Sequence, residues 1–217
     1  FKEKGQYLRS FLAEDSLFID IMMNVGIVFY AAQETSDPEL MRIATQHCLT
    51  TRKYLVRGDG STAHEGIFDL ETGEFLRQST QQGWRSDSSW ARGLAWAIYG
   101  FSNAYRMTND IRFLQTAEQC ARFYMLRTPL NGVPPNDWDE PDPALPYESS
   151  AAAIAAGGFL NLSELVEDMD SSQYLGYAKH ILNTLLMPEF LADQTPGWEG
   201  LLKHGIYHQR KGLGVDE

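Results

Sequence analysis

The chain has 217 residues, 43% hydrophobic and 12% aromatic, enough apolar surface to bury a substantial core in one or two domains and too much for a disordered chain. Its formal net charge is −11 with no basic run, which argues against nucleic acid and against an anionic membrane surface as partners. An acidic ligand therefore has to be met by a local cluster of Arg, Lys and His.

Helical periodicity marks six segments, roughly 16–34, 37–57, 89–107, 110–127, 148–168 and 171–187, which fall into three pairs. The short polar elbows Thr35-Ser36-Asp37-Pro38, Thr108-Asn109-Asp110 and Asp168-Met169-Asp170-Ser171-Ser172 offer Asp, Asn or Ser to cap the second helix of each pair. The first two elbows lie about seventy residues apart and are preceded by similar stretches, Phe29-Tyr30-Ala31-Ala32-Gln33 and Asn103-Ala104-Tyr105-Arg106, so a helical hairpin is repeated. Cys48 and Cys120 fall inside helices with no ligand spacing around them and read as small core residues, with neither a disulfide framework nor a structural metal site expected. The longest apolar stretches, such as Ser149 to Leu160, are too short to span a bilayer.

Candidate functional residues follow in chain order. Asp20 sits in the apolar run Ser16-Leu17-Phe18-Ile19-Asp20-Ile21-Met22-Met23-Asn24, read as a helix start, where a carboxylate needs a hydrogen bond or a ligand; Asn24, one turn on, is positioned to donate to it. Capping or pairing inside the hairpin explains Asp20 equally well. The long connection 58–88 carries His64, Gln82 and a small β-hairpin, Gly66 to Leu70 and Glu74 to Arg77 around Glu71-Thr72-Gly73. Arg92 and Trp96 stand at i and i+4, placing a cation and an aromatic plate on one helix face; this suits a sugar carboxylate beside a sugar ring, or a structural ion pair beside core aromatics. The connection 128–147 offers Asn136-Asp137-Trp138-Asp139-Glu140, whose acceptors around an indole suit sugar hydroxyls or an ordered acidic turn. Lys203 to Lys211 is the most basic stretch of an acidic chain and contains Tyr207.

These blocks together resemble the unsaturated glucuronyl hydrolases. The matching stretches are Ile19 to Asn24, Asp59 to His64, Phe68 to Glu74, Gln82-Gly83-Trp84, Asp87 to Phe101, Ser149 to Ala156 and Lys211 to Glu217, and their order and spacing cover nearly the whole chain. The resemblance implies an all-α fold, an (α/α)6 six-hairpin toroid, here an incomplete ring of about three hairpins with long loops and a small β-hairpin. It makes residues 1–217 a single partial barrel domain of a truncated member, without the N-terminal part and the last helices. By the same resemblance Asp20 takes the place of the general acid/base, with Asp87 the next carboxylate to test, and His64, Gln82, Arg92, Trp96 and Tyr207 match substrate-binding positions. The family's reaction is hydration of the C4=C5 vinyl ether of an unsaturated uronic acid, needing no cofactor and no metal. The implied partner is an unsaturated uronic-acid oligosaccharide, and exposed hairpin edges leave room for self-association.

Three departures from the family pattern stand out. No His-Asp pair supplies the family's second, upstream aspartate; Phe11 stands nearest to where an aromatic precedes the acid/base helix; and Glu148 replaces a more usual Asp. The alternative readings are an unsaturated rhamnogalacturonyl hydrolase and a non-catalytic uronate-binding or interaction relic.

Overall fold

A computed structural model of the chain describes residues 1–141 and 147–216. Residues 142–146 of the second long connection, and Glu217 at the end of the last matching block, lie outside the described residues.

Among the described residues six helices form three consecutive antiparallel hairpins: α1 (Ile21–Thr35) with α2 (Pro38–Leu55), α3 (Ala91–Thr108) with α4 (Ile111–Arg127), and α5 (Ser149–Leu165) with α6 (Asp168–Leu185). The elbows work as the sequence suggests in the first two hairpins. Ser36 and Asn109 take left-handed conformations that end α1 and α3, and the side chains of Asp37 and Asp110 accept backbone N–H groups of α2 and α4. The third elbow is displaced. Helix α5 stops at Leu165, the break falls on Val166-Glu167, and Glu167 makes no side-chain cap to α6.

The first helix of each hairpin forms a continuous row, α1 against α3 and α3 against α5, with α2, α4 and α6 each packed on its own hairpin partner. Small residues allow the close approach within the row. A Cβ on Gly100 would collide with the Met22 carbonyl of α1, and one on Gly158 would meet Ile98 of α3 at 2.7 Å. Ala91, Leu94, Ala95, Ile98 and Phe101 of α3 are fully buried, as are Ala151, Ala152 and Ala155 of α5. Cys48 and Cys120 are free and buried in this core, where burial pushes both thiols far above their usual pKa.

The first element departs from expectation. The run from Ser16 was read as helical, but Ser16–Phe18 is a strand, β1, at the edge of an antiparallel sheet in the order β1-β2-β3 with β2 (Glu65–Phe68) and β3 (Phe75–Ser79). All three β1 residues are buried, so no alternation betrays the strand. The β2–β3 hairpin is where the sequence puts it, turning at Gly73 with φ +78°. The basic tail forms a second hairpin that the sequence reading missed: β4 (Ile206–His208), one turn of 3-10 helix (Gln209–Lys211), and β5 (Leu213–Val215).

Candidate active site

All three helices of the inner row begin around one pocket of about 600 Å³. Asp20 is the residue before α1, Arg92 lies in the first turn of α3, and Ser150 lies in the first turn of α5; β4 runs across these ends. Helix N-termini carry partial positive charge, so three of them around one cavity favour an anionic ligand. Asp20, His64, Gln82, Arg92, Trp96 and Tyr207, separated by up to 187 positions in the chain, all line this pocket.

The sheet sets the acid beside the imidazole. Phe18 pairs with Glu65, and the Ile19 N–H continues the ladder onto the His64 carbonyl at 2.9 Å, so Asp20 and His64 emerge side by side. Their facing atoms, Asp20 Oδ2 and His64 Nε2, are 3.4 Å apart. The other ring nitrogen, Nδ1, accepts the backbone N–H groups of Gln81 (3.0 Å) and Gln82 (3.2 Å), which leaves the ring proton on Nε2, the nitrogen nearest Asp20 but not hydrogen-bonded to it. The ring itself is held between Phe18 and Trp90, with centroid distances of 4.8 and 4.7 Å. Asn24, expected to hold Asp20, is exposed; Asp20 precedes the helix, and the group beside its carboxylate is the His64 imidazole.

Arg92 is built in from three sides. Its guanidinium lies over the Trp90 ring, 4.4 Å from the centroid, while Nη1 donates to the Ile206 carbonyl (2.5 Å) and Nη2 to the Tyr207 carbonyl (3.0 Å). Glu148 supplies the counter-charge at 3.4 Å. That carboxylate is fully buried and caps α5 through the Ala151 N–H (2.8 Å), while its other oxygen accepts from Ser150 Oγ and, at 3.3 Å, from the Ile206 N–H. Gln82 joins the same junction, its amide donating to the Tyr207 carbonyl at 2.7 Å. Arg92, Gln82 and Glu148 therefore hold β4 across the pocket. The aromatic lining comes from Trp96 and Phe18, with Phe11, 85% exposed, at the rim.

Other sequence candidates lie elsewhere. Asn136 to Glu140 contribute nothing to the pocket lining. Asp137 is fully buried and accepts from the Trp84 N–H and the Ser88 hydroxyl, fastening the loop before α3, and burial raises its pKa; Trp138 packs edge-on against Phe123 and Tyr124. Asp87 is exposed and paired with Arg85 at 3.0 Å, away from the pocket lining. Among the described residues no cluster of His, Cys, Asp and Glu could hold a metal ion, and no helix is long and apolar enough to cross a membrane. The pairing of Glu148 with Arg92, and His208 in the pocket lining, gave little signal in the sequence. Glu148 looked like a departure from a pattern, and His208 was one charge in a basic tail.

Repeated helical hairpins present a carboxylate, an arginine and aromatic side chains around one concave pocket. The chain matches the model of Glycosyl Hydrolase Family 88 over residues 2–128, and it belongs to that family. It is 36% identical over 205 residues to the unsaturated glucuronyl hydrolase of Bacillus sp. (strain GL1), covering 93% of this chain and 54% of that protein. It is 30% identical over 226 residues to the unsaturated chondroitin disaccharide hydrolase of Streptococcus agalactiae serotype III (strain NEM316), covering 100% of this chain and 56% of the relative. The crystal structure of the Bacillus sp. GL1 unsaturated glucuronyl hydrolase, responsible for the degradation of glycosaminoglycan, superposes with a TM-score of 0.94 at 32% identity, over 99% of this chain and 59% of that one. The chain thus spans about half the length of the curated relatives it matches.

Proposed function

We propose that this chain carries the acid/base half-site of a glycoside hydrolase that acts on unsaturated glucuronyl oligosaccharides, the products of polysaccharide lyases. The observation that carries the reading is Asp20, 3.4 Å from His64 Nε2, in the same pocket as Arg92 and Trp96. Arg92 and the three helix N-termini meet the uronate carboxylate, and Trp96 faces the sugar ring. Asp20 then protonates C4 of the C4=C5 vinyl ether. As a carboxylate it takes a proton from the water that adds at C5, and the resulting hemiketal collapses with loss of the glycosidic bond. One carboxyl serves twice, as acid and as base, with His64 orienting it, so the two-carboxylate spacing of direct displacement does not govern this site. No cofactor or metal enters these steps. The three hairpins read as half of a six-hairpin (α/α) toroid, with residues 1–217 one partial barrel domain; the continuous row of inner helices supports this.

The test is loss of the ultraviolet absorbance of the unsaturated uronate when the protein is incubated with an unsaturated chondroitin disaccharide, compared with an unsaturated rhamnogalacturonyl disaccharide. For the whole protein the reading expects loss with the first, none with Asp20→Asn, and binding by that variant largely intact, because an amide of the same shape can neither donate the proton nor accept one; the 217-residue chain alone is expected to turn over weakly or not at all. Retention of most of the rate by Asp20→Asn would move catalysis to another carboxylate. A preference for the rhamnogalacturonyl substrate would replace the substrate class.

A further inference from the structure

A buried carboxyl beside His64 has no part in the steps above. Glu65 follows His64 at the start of β2 and is 3% exposed, in a place where an aliphatic residue would avoid the cost of taking a carboxyl out of water. What it holds therefore has to explain it. One oxygen, Oε1, accepts the Ser16 hydroxyl of β1 at 2.5 Å, and the other, Oε2, accepts the Gln81 side-chain amide at 3.2 Å. Ser16 opens the strand that leads into Asp20, and Gln81 carries one of the two backbone N–H groups that meet His64 Nδ1. Glu65 thus joins the two segments that bring the acid and the imidazole together, without lining the pocket itself.

We propose that Glu65 is a positioning residue: by anchoring Gln81 it keeps the Gln81-Gln82 backbone on His64 Nδ1, and so keeps the ring proton on Nε2, beside Asp20. This rests on the reading of the site as one in which His64 orients the acid. The ring has a choice of tautomer, because Thr80 Oγ1 lies 3.3 Å from Nδ1 and is an acceptor for a proton on that nitrogen. In that form Nε2 would turn a bare lone pair toward Asp20 Oδ2, 3.4 Å away, and the two would repel. With the proton on Nε2, its partial positive charge favours the carboxylate even without an aligned hydrogen bond. The N–H groups of Gln81 and Gln82 settle the choice, because a nitrogen that accepts cannot also carry the proton. Gln81 is exposed and lies in a bend beyond β3, so its bond to a buried group supplies the hold that regular structure does not.

The experiment is long-range proton–nitrogen NMR of the histidine rings in the 217-residue protein at about pH 8, where an unperturbed imidazole is neutral. Glu65→Leu, Glu65→Gln, Gln81→Ala and Ser16→Ala are compared with the native chain, each also followed by denaturant unfolding. The native His64 should show a protonated Nε2 and a bare Nδ1. Glu65→Leu and Gln81→Ala cut the link at either end, and should raise the other tautomer to roughly a tenth of the population or more. Glu65→Gln, whose oxygen still accepts from Gln81 while its NH2 donates to Ser16, should keep the native form. Ser16→Ala removes the strand arm of the same carboxyl and should lower stability without moving the ring signals, which separates positioning from mere fastening of the sheet. Should Glu65→Leu not fold, Gln81→Ala, changed at an exposed position, decides. Native-like ring signals in Gln81→Ala or in folded Glu65→Leu overturn the proposal, as do equal shifts in Ser16→Ala or a native ring already divided between tautomers. Calorimetric titration of the native protein with an unsaturated chondroitin disaccharide tests the reading of the site separately. Binding alongside unmoved ring signals overturns the role of Glu65 and leaves that reading standing; absence of binding overturns both.

Discussion

Glu148 ties together several of the groups that surround the pocket. It joins the cap of α5, the counter-charge of Arg92 and the N–H of Ile206 in one fully buried carboxylate. Glu148→Gln keeps the shape but puts an NH2 where one of these donors now points, so at least one buried group loses its partner. The expected cost is about 1–3 kcal/mol of stability in denaturant unfolding, with weaker disaccharide binding as β4 loosens. An unchanged midpoint would show that the network is not coupled. His47 gives a pH prediction of determinate sign. It is fully buried, its Nδ1 accepts the Leu8 N–H at 3.1 Å, and burial lowers its pKa from 6.5 to about 3. Between these values the unfolded chain binds a proton that the folded chain refuses. Its contribution to stability is thus complete above 6.5 and is lost as pH falls below, at up to about 1.4 kcal/mol per pH unit. His47→Asn retains an acceptor for Leu8 and cannot titrate. Its stability should fall less steeply than that of the native protein between roughly pH 6 and pH 4.5, and equal slopes would assign the acid sensitivity to the carboxylates.

Among the elements, the inner row is the part most sensitive to volume. Gly100 lets α3 lie against the Met22 backbone of α1, and no rotamer change can move a carbonyl aside, so Gly100→Ala must separate the helices. We expect a loss of about 1–3 kcal/mol despite the better helix propensity of alanine, and a distorted Asp20, which sits at the start of the displaced helix. Gly176→Ala in α6, where a Cβ meets nothing within 4 Å, is the control and should be neutral or stabilising. The reverse ranking in thermal melts would mean that α1 and α3 do not touch as described. These helices were legible in the sequence because their period and capping residues are local. Asp37 and Asp110 each act within three residues of where they stand. Strand β1 was not, because Ser16–Phe18 is buried on both sides and owes its conformation to Glu65–Ile67, forty-seven to fifty-one positions away. The third elbow failed for a related reason: several acidic and hydroxyl residues around it compete as caps, and packing of α5 on α6 decides where the break falls.

At the scale of the whole molecule, the pocket residues were found because the family pattern spaces them along the chain, although nothing local shows that position 64 faces position 20 or that 207 reaches 92. The partner Glu148 escaped because burial, not residue type, gives it its role. The same long-range view gives a prediction about salt. The protein carries a formal charge of −11, while the pocket gathers Arg92, Lys211 and three helix N-termini against Asp20 and the buried Glu148. An anionic disaccharide is therefore repelled at long range by the body and attracted at short range by the site. At low ionic strength the Debye length of about 30 Å lets the whole charge act, whereas near 0.15 M it shrinks to about 8 Å and the partly desolvated contacts of the pocket are screened least. Raising salt from roughly 0.01 to 0.15 M should accordingly strengthen binding of an unsaturated uronate disaccharide, or speed its association, by a few-fold. A neutral disaccharide of the same size serves as the control and should show no such gain. If the uronate binds more weakly as salt rises, the long-range repulsion is not felt at the pocket mouth, and local cations alone govern capture.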